Sequence, residues 1–110
     1  MTRTPASPYH VALTDEAIAL LDSITTRDRR IAGKLCDHIE ALAITPSLKG
    51  SHLRGDFSGL LSHHCLGNRF RIIYQINESQ HTVTIISLGM RKAGDKRDIY
   101  ELTKKILRKL

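Results

Sequence analysis

Two adjacent histidines, His63 and His64, and the strand arginines Arg69 and Arg71 are residues of this chain suited to chemistry. A histidine with a pKa near its reference value of about 6.5 gives or takes a proton at neutrality, which a lysine does only after a large shift. A guanidinium fixed on a sheet is held well enough to meet a phosphate. The surrounding pattern supplies such a sheet. Residues 60–66 lead through Gly67-Asn68 into residues 69–76, and Gly-Asn between two alternating runs signals a hairpin. Beyond the turn-rich Asn77-Glu78-Ser79-Gln80, residues 82–88 read as a third strand. Strand side chains alternate faces, which puts Phe70, Ile72, Tyr74 and Ile76 on one side and Arg69, Arg71, Ile73 and Gln75 on the other. For the same reason only one of His63 and His64 shares the face of Arg71, and the hairpin register decides which.

The elements around this meander follow from periodicity and end signals. Tyr9-His10-Val11-Ala12-Leu13 reads as a short strand after a Thr-, Pro- and Ser-rich tail over residues 1–8. Thr14 or Asp15 can cap a helix with apolar Ile18, Leu21 and Ile24, ending near Ser23-Ile24. Thr25-Thr26-Arg27-Asp28 has the form of a capping box, and Ile31, Leu35, Ile39 and Leu42 make one apolar stripe on a second helix that Thr45-Pro46 stops. Asp98 can cap a last helix with an apolar edge of Ile99, Leu102, Ile106, Leu107 and Leu110. The expected fold is α+β in a single domain over residues 1–110: a short N-terminal strand, a two-helix antiparallel hairpin on an antiparallel sheet of about four strands, and a C-terminal helix.

Composition narrows the partners. The chain has 110 residues, a net charge of +6 and a hydrophobic fraction of 41%, as expected of a domain with its own core. From Lys49 onward there are twelve Lys and Arg against five Asp and Glu, a net +7; before it there are five against six, a net −1. A basic sheet half favours an acidic partner, nucleic acid first. Aromatic residues make up only 5%, too few for a broad base-stacking platform. Cys36 and Cys65 form no CxxC motif and read as free thiols, and the six histidines lack the spacing of a metal site. No apolar run approaches the ~20 residues of a membrane span, and residues 1–8 lack a secretion-signal core, so a cytoplasmic protein without cofactor or metal is expected.

The order strand, two helices, three strands, with Leu53-Arg54-Gly55, Ser58-Gly59, Arg71-Ile72-Ile73-Tyr74, Ile86-Ser87-Leu88-Gly89-x-Arg91 and a later Ile99-Tyr100, resembles the RelE/ParE superfamily of bacterial toxins, in particular its ribonuclease branch. The match runs from about Tyr9 to the end. The resemblance implies a type II toxin that enters the ribosomal A site and cuts messenger RNA there. It also implies a cognate antitoxin, small, acidic and partly disordered, that silences it. Arg71 falls at the family's strand arginine, Arg91 at the arginine after the last core strand, and Tyr100 at a C-terminal tyrosine. The family's second-strand lysine or arginine is replaced by His63 and His64, with Ser62 the next match. The loop glutamate of some relatives is replaced by Ser51 or His52. Residues 92–97 lengthen the connection from Arg91 to Tyr100.

Metal-independent RNA cleavage by the 2′-hydroxyl needs a proton acceptor near that oxygen, positive charge on the forming phosphorane and a proton for the leaving 5′-oxygen. The catalytic set expected here is Arg71, Arg91, His64, His63 and Tyr100, with Lys49, Arg54, Arg69 and Lys92 contacting RNA. His64 is favoured as the base, counting back from Arg71; His63 and His52 are the alternatives. Two other classes are the alternatives: the superfamily branch that poisons DNA gyrase, which would not need Arg71, Arg91 and Tyr100 together, and a non-catalytic RNA-binding module descended from a toxin.

Overall fold

The computed structural model describes residues 8–109, so the tail expected over residues 1–8 lies, apart from Pro8, outside the described residues. The chain runs β1 (His10–Leu13), α1 (Asp15–Arg27), α2 (Arg29–Ala41), a 3₁₀ turn (Pro46–Leu48), β2 (Ser51–His52), a second 3₁₀ turn (Gly55–Phe57), β3 (Leu61–Cys65), β4 (Phe70–Asn77), β5 (Thr82–Met90) and α3 (Ile99–Lys109). The strands form one mixed sheet in the order β1-β5-β4-β3-β2. The antiparallel meander β3-β4-β5 is its centre, as expected. Two features differ from the sequence expectation: β1 pairs in parallel with β5, and the two-residue β2 adds a fifth strand beside β3. A parallel partner needs a crossover connection, and everything between residues 14 and 81 supplies it.

Thr14 makes that crossover compact. Its hydroxyl accepts the Ala17 N–H at the start of α1 and donates to the Ile86 carbonyl, while its own N–H donates to the Ile85 carbonyl. The cap thus ties the first helix to β5 where the β4–β5 register shifts, Ile73 pairing Ser87 and Tyr74 pairing Ile85. The expected capping box does not form. Helix α1 continues through Arg27, and the hydroxyls of Thr25 and Thr26 donate back to the carbonyls of Leu21 and Asp22. Asp28 alone makes the corner: extended at φ −156°, it ends α1 and caps α2 by accepting from Arg30 and Ile31 N–H groups.

Helices α1 and α2 cover one face of the sheet, where Ala17, Leu35, Ile39 and Leu42 bury against Leu61, Ile72, Tyr74, Val83, Ile85 and Leu88. Helix α3 lies on the other, where Ile99 and Ile106 meet Leu60, Ile73 and Ile86. Arg71, two positions before Ile73 on β4, points to this same side. No helix among the described residues is long and apolar enough to cross a membrane.

Tyr74 crosses the first core fully buried, its hydroxyl donating to the Pro46 carbonyl at 2.7 Å, and burial pushes its pKa up to about 12. This anchors the loop before β2. Gly50 passes so close that a Cβ there would stand 3.0 Å from two carbons of the Tyr74 ring and nearer still to its oxygen. Gly50→Ala should therefore lower stability by ~1–3 kcal/mol, as overpacking does. The check is the urea unfolding midpoint at constant slope, and an unmoved midpoint refutes the steric account.

Candidate active site

The β3–β4 register answers the question left by the two histidines. His64 pairs with Arg71, and His63 with Ile72. Residues directly opposite on antiparallel strands point to the same face, so His64 stands beside Arg71 on the side of α3. The Arg71 guanidinium folds over the hairpin loop, its Nη1 donating to the carbonyls of Asn68 and Phe70, and its Nε is buried with no partner. Among the described residues Arg71 makes no ion pair; Glu78, one acid within reach in the sequence, instead accepts from the Tyr9 hydroxyl. The His64 pKa is lowered, first by burial, then by the Arg71 charge and by His63. Its imidazole is consequently a neutral proton acceptor at pH 7, next to a cation.

The second half of the site comes from the end of β5 and the start of α3. Arg91 N–H donates to the Arg69 carbonyl at 2.8 Å, extending the ladder one residue past β5. Its guanidinium lies 5.0 Å over the Tyr100 ring and pairs with Asp98 at 2.6 Å. The Tyr100 hydroxyl is 3.1 Å from Ser62 Oγ, and Phe57 packs against the ring at 5.7 Å. Ser62 precedes His64 by two positions on β3, about 6.6 Å along the strand and on the same face. The Ser62–Tyr100 contact thus ties the Arg91–Tyr100 pair to the strand that carries His64. Helix α3 is capped as expected, Asp98 accepting the Tyr100 N–H. Residues 92–97 do not displace Tyr100, because Asp98 N–H donates to the Asp95 carbonyl and Asp95 N–H to the Lys92 carbonyl, folding the longer connection into consecutive tight turns.

His63 is on the opposite face and is used in packing. Its Nδ1 is 2.7 Å from the Lys49 carbonyl and its Nε2 is 2.9 Å from His38 Nδ1. A carbonyl cannot donate, so His63 Nδ1 carries the proton and Nε2 accepts from His38 Nδ1–H. His52 pairs with Leu61, which buries in the first core, and Ser51 pairs with Ser62. Ser51, Ser62, His63 and His64 border a hollow of about 300 Å³, with the Lys49–Gly50 loop at its rim.

The residues expected to touch RNA divide. Arg54 and Arg69 are exposed. Lys49 is turned away, its Nζ donating to the Ala41 carbonyl at the C-terminal end of α2, where the helix dipole favours a cation. Lys92 borders a different hollow, with Leu20, Ile24, Arg27 and Arg97 between α1 and the end of β5. The sequence reading missed His38 as the partner of His63 and Asp98 as the partner of Arg91. His38 had no local signal, since it lies 25 positions from His63.

No family model matches the chain. It is 32% identical over 88 residues to toxin RelE of Mycobacterium tuberculosis (strain ATCC 25618 / H37Rv), covering 79% of this chain and 86% of that protein. Among solved structures it resembles the toxin–antitoxin complex RelBE2 of Mycobacterium tuberculosis, with a TM-score of 0.70, 25% identity and coverage of 79% and 95%. A mutant of E. coli toxin RelE in the free state shares the fold at a TM-score of 0.70 and 16% identity, over 94% of this chain and 98% of that one. The chain belongs to the RelE family of toxins.

Burial first and His63 second lower the His38 pKa, against an opposing pull from Asp37. A folded value below the unfolded one near 6.5 means that the unfolded chain takes up the proton first. Stability is therefore complete above pH ~6.5 and falls as pH drops through the folded pKa, with His64 contributing in the same direction. His38→Gln should flatten the decline between pH 7 and pH 5 in urea unfolding. An unchanged slope would exclude the His38–His63 pair as its source.

Proposed function

We infer that this toxin is an endoribonuclease that cuts messenger RNA in the ribosomal A site through attack of the 2′-hydroxyl. The observation that carries the reading is the pairing of His64 with Arg71, on the sheet face that also bears Arg91 and Tyr100. Neutral His64 takes the 2′-hydroxyl proton. Arg71 and Arg91 face the negative charge that grows on the phosphorane, and the imidazolium then gives the proton to the departing 5′-oxygen, which returns His64 to its neutral form. Tyr100, already stacked under Arg91, offers a base an aromatic surface. None of these steps calls on a metal ion.

Such a chain is made safely only with a partner. The RelBE2 and E. coli RelBE relatives are toxin–antitoxin complexes, and this toxin's partner is inferred to be an acidic, partly disordered antitoxin. Inducing the chain in bacteria and mapping RNA ends tests the whole reading. Cuts within translated codons support it, whereas DNA damage with intact message would move the chain to the gyrase-poisoning branch.

Two substitutions test the roles. Arg71→Ala should remove ~2.7–4 kcal/mol of transition-state stabilisation while the protein stays folded. His64→Gln should lower the single-turnover rate by ~10²–10⁴ with little loss of ribosome binding. Because the neutral imidazole is the active form and its pKa is lowered, the wild-type rate should rise with pH through a value below 6.5 and then level off. A flat profile, or His64→Lys at full rate, would reduce His64 to a carrier of charge or a hydrogen bond.

A further inference from the structure

Asp98 does more than a helix cap requires. Its side chain is 3% exposed. Oδ2 accepts the Tyr100 N–H at 3.1 Å, which is the capping bond. Oδ1 accepts from Arg91 Nη1 at 2.6 Å and from the Lys92 N–H. A capping side chain is commonly solvated, and burying a carboxylate is unfavourable unless its lone pairs and charge are met. Here they are met by three groups from both ends of residues 91–100. Asp95 closes the intervening turns, accepting the Arg97 N–H at 2.7 Å. The longer connection therefore returns to its own origin, and Asp98 is where it closes.

We propose that Asp98 is the positioning residue of the site, fixing the Arg91 guanidinium over Tyr100 and aligning both with the His64–Arg71 pair. The proposal rests on the nuclease reading and concerns how that same site is assembled. A free arginine side chain loses substantial rotamer freedom when it meets a phosphate. Arg91, with 37% of its side chain exposed, is instead held beforehand by one ion pair and one ring. The pair occupies Nη1, and a guanidinium has five N–H donors, so donors remain for an incoming oxygen. Desolvation raises the Asp98 pKa, but the bonds from Arg91, Lys92 and Tyr100 outweigh it and the net shift is down, which keeps the clamp ionised at neutrality.

The test compares wild type, Asp98→Asn, Arg91→Ala and the double variant on programmed ribosomes. Two readouts are taken: the single-turnover cleavage rate, and the Arg91 guanidinium resonance of the free protein. Asn retains the capping acceptor, so Asp98→Asn should stay folded, lose the restrained Arg91 resonance and cut 10–100-fold more slowly. In the Arg91→Ala background the same change should have almost no effect. Thr103→Val is the control for a merely loosened helix. It breaks the 2.6 Å Ser87–Thr103 bond beneath α3, and it should lower Tm while leaving the rate and the Arg91 resonance as in wild type. An unchanged or faster Asp98→Asn, or the same loss in both Arg91 backgrounds, overturns Asp98's role alone. A wild type that cuts no ribosome-bound message overturns the nuclease reading and that role with it.

Discussion

The β3–β4 register is the constraint on which the rest of the site depends. A slip of one residue would send His64 to the face packed by α1 and α2 and bring His63 beside Arg71. The register is fixed by a four-residue loop in which Leu66, Gly67 and Asn68 all have positive φ, at 53°, 68° and 65°. Glycine and asparagine adopt that conformation readily; leucine does so at a cost. Leu66 is half-buried against the first core, which offsets its strain, and Arg71 reaches back to the Asn68 carbonyl. One arginine therefore helps to hold the loop that decides what it faces.

The two faces of the sheet differ in what they hold. The first carries the larger core, and even its polar groups are spent on structure: Tyr74 on Pro46, His63 on Lys49 and His38, Lys49 on the end of α2. The second carries the smaller core under α3, and His64 and Arg71 stand side by side on it. Cys65 lies on the first side of this division. It is 5% exposed, burial pushes its thiol up to about 11, and it behaves as a small core residue rather than a nucleophile.

What could be read from the sequence was what local rules govern. The alternation of residues 69–76, the Thr14 and Asp98 caps and the stripe of Leu35, Ile39 and Leu42 follow from spacing within a few residues, and all are present. The capping box failed because Thr25 and Thr26 had a competing use, bonding back into the helix that precedes them. The parallel pairing of β1 with β5 was hidden because no short-range pattern encodes a partner some seventy positions away. The site divided in the same way. His64 and Arg71 could be placed together once a register was supposed, whereas the tethering of Lys49 to Ala41 and the closure of Asp98 on Arg91 depend on how irregular loops fold back, which no periodic pattern encodes.

That long-range pairing also orders events in time. Thr14 reaches the Ile86 carbonyl across 72 positions, so the first strand and first helix have no place to dock until β5 has been synthesised. Arg91 and Tyr100 are translated later still, and contacts of this span form slowly because the loop they close must first be ordered. During its own synthesis the chain thus passes much of its length as separate local pieces, with the His64–Arg71 hairpin made before the Arg91–Tyr100 pair that completes the face.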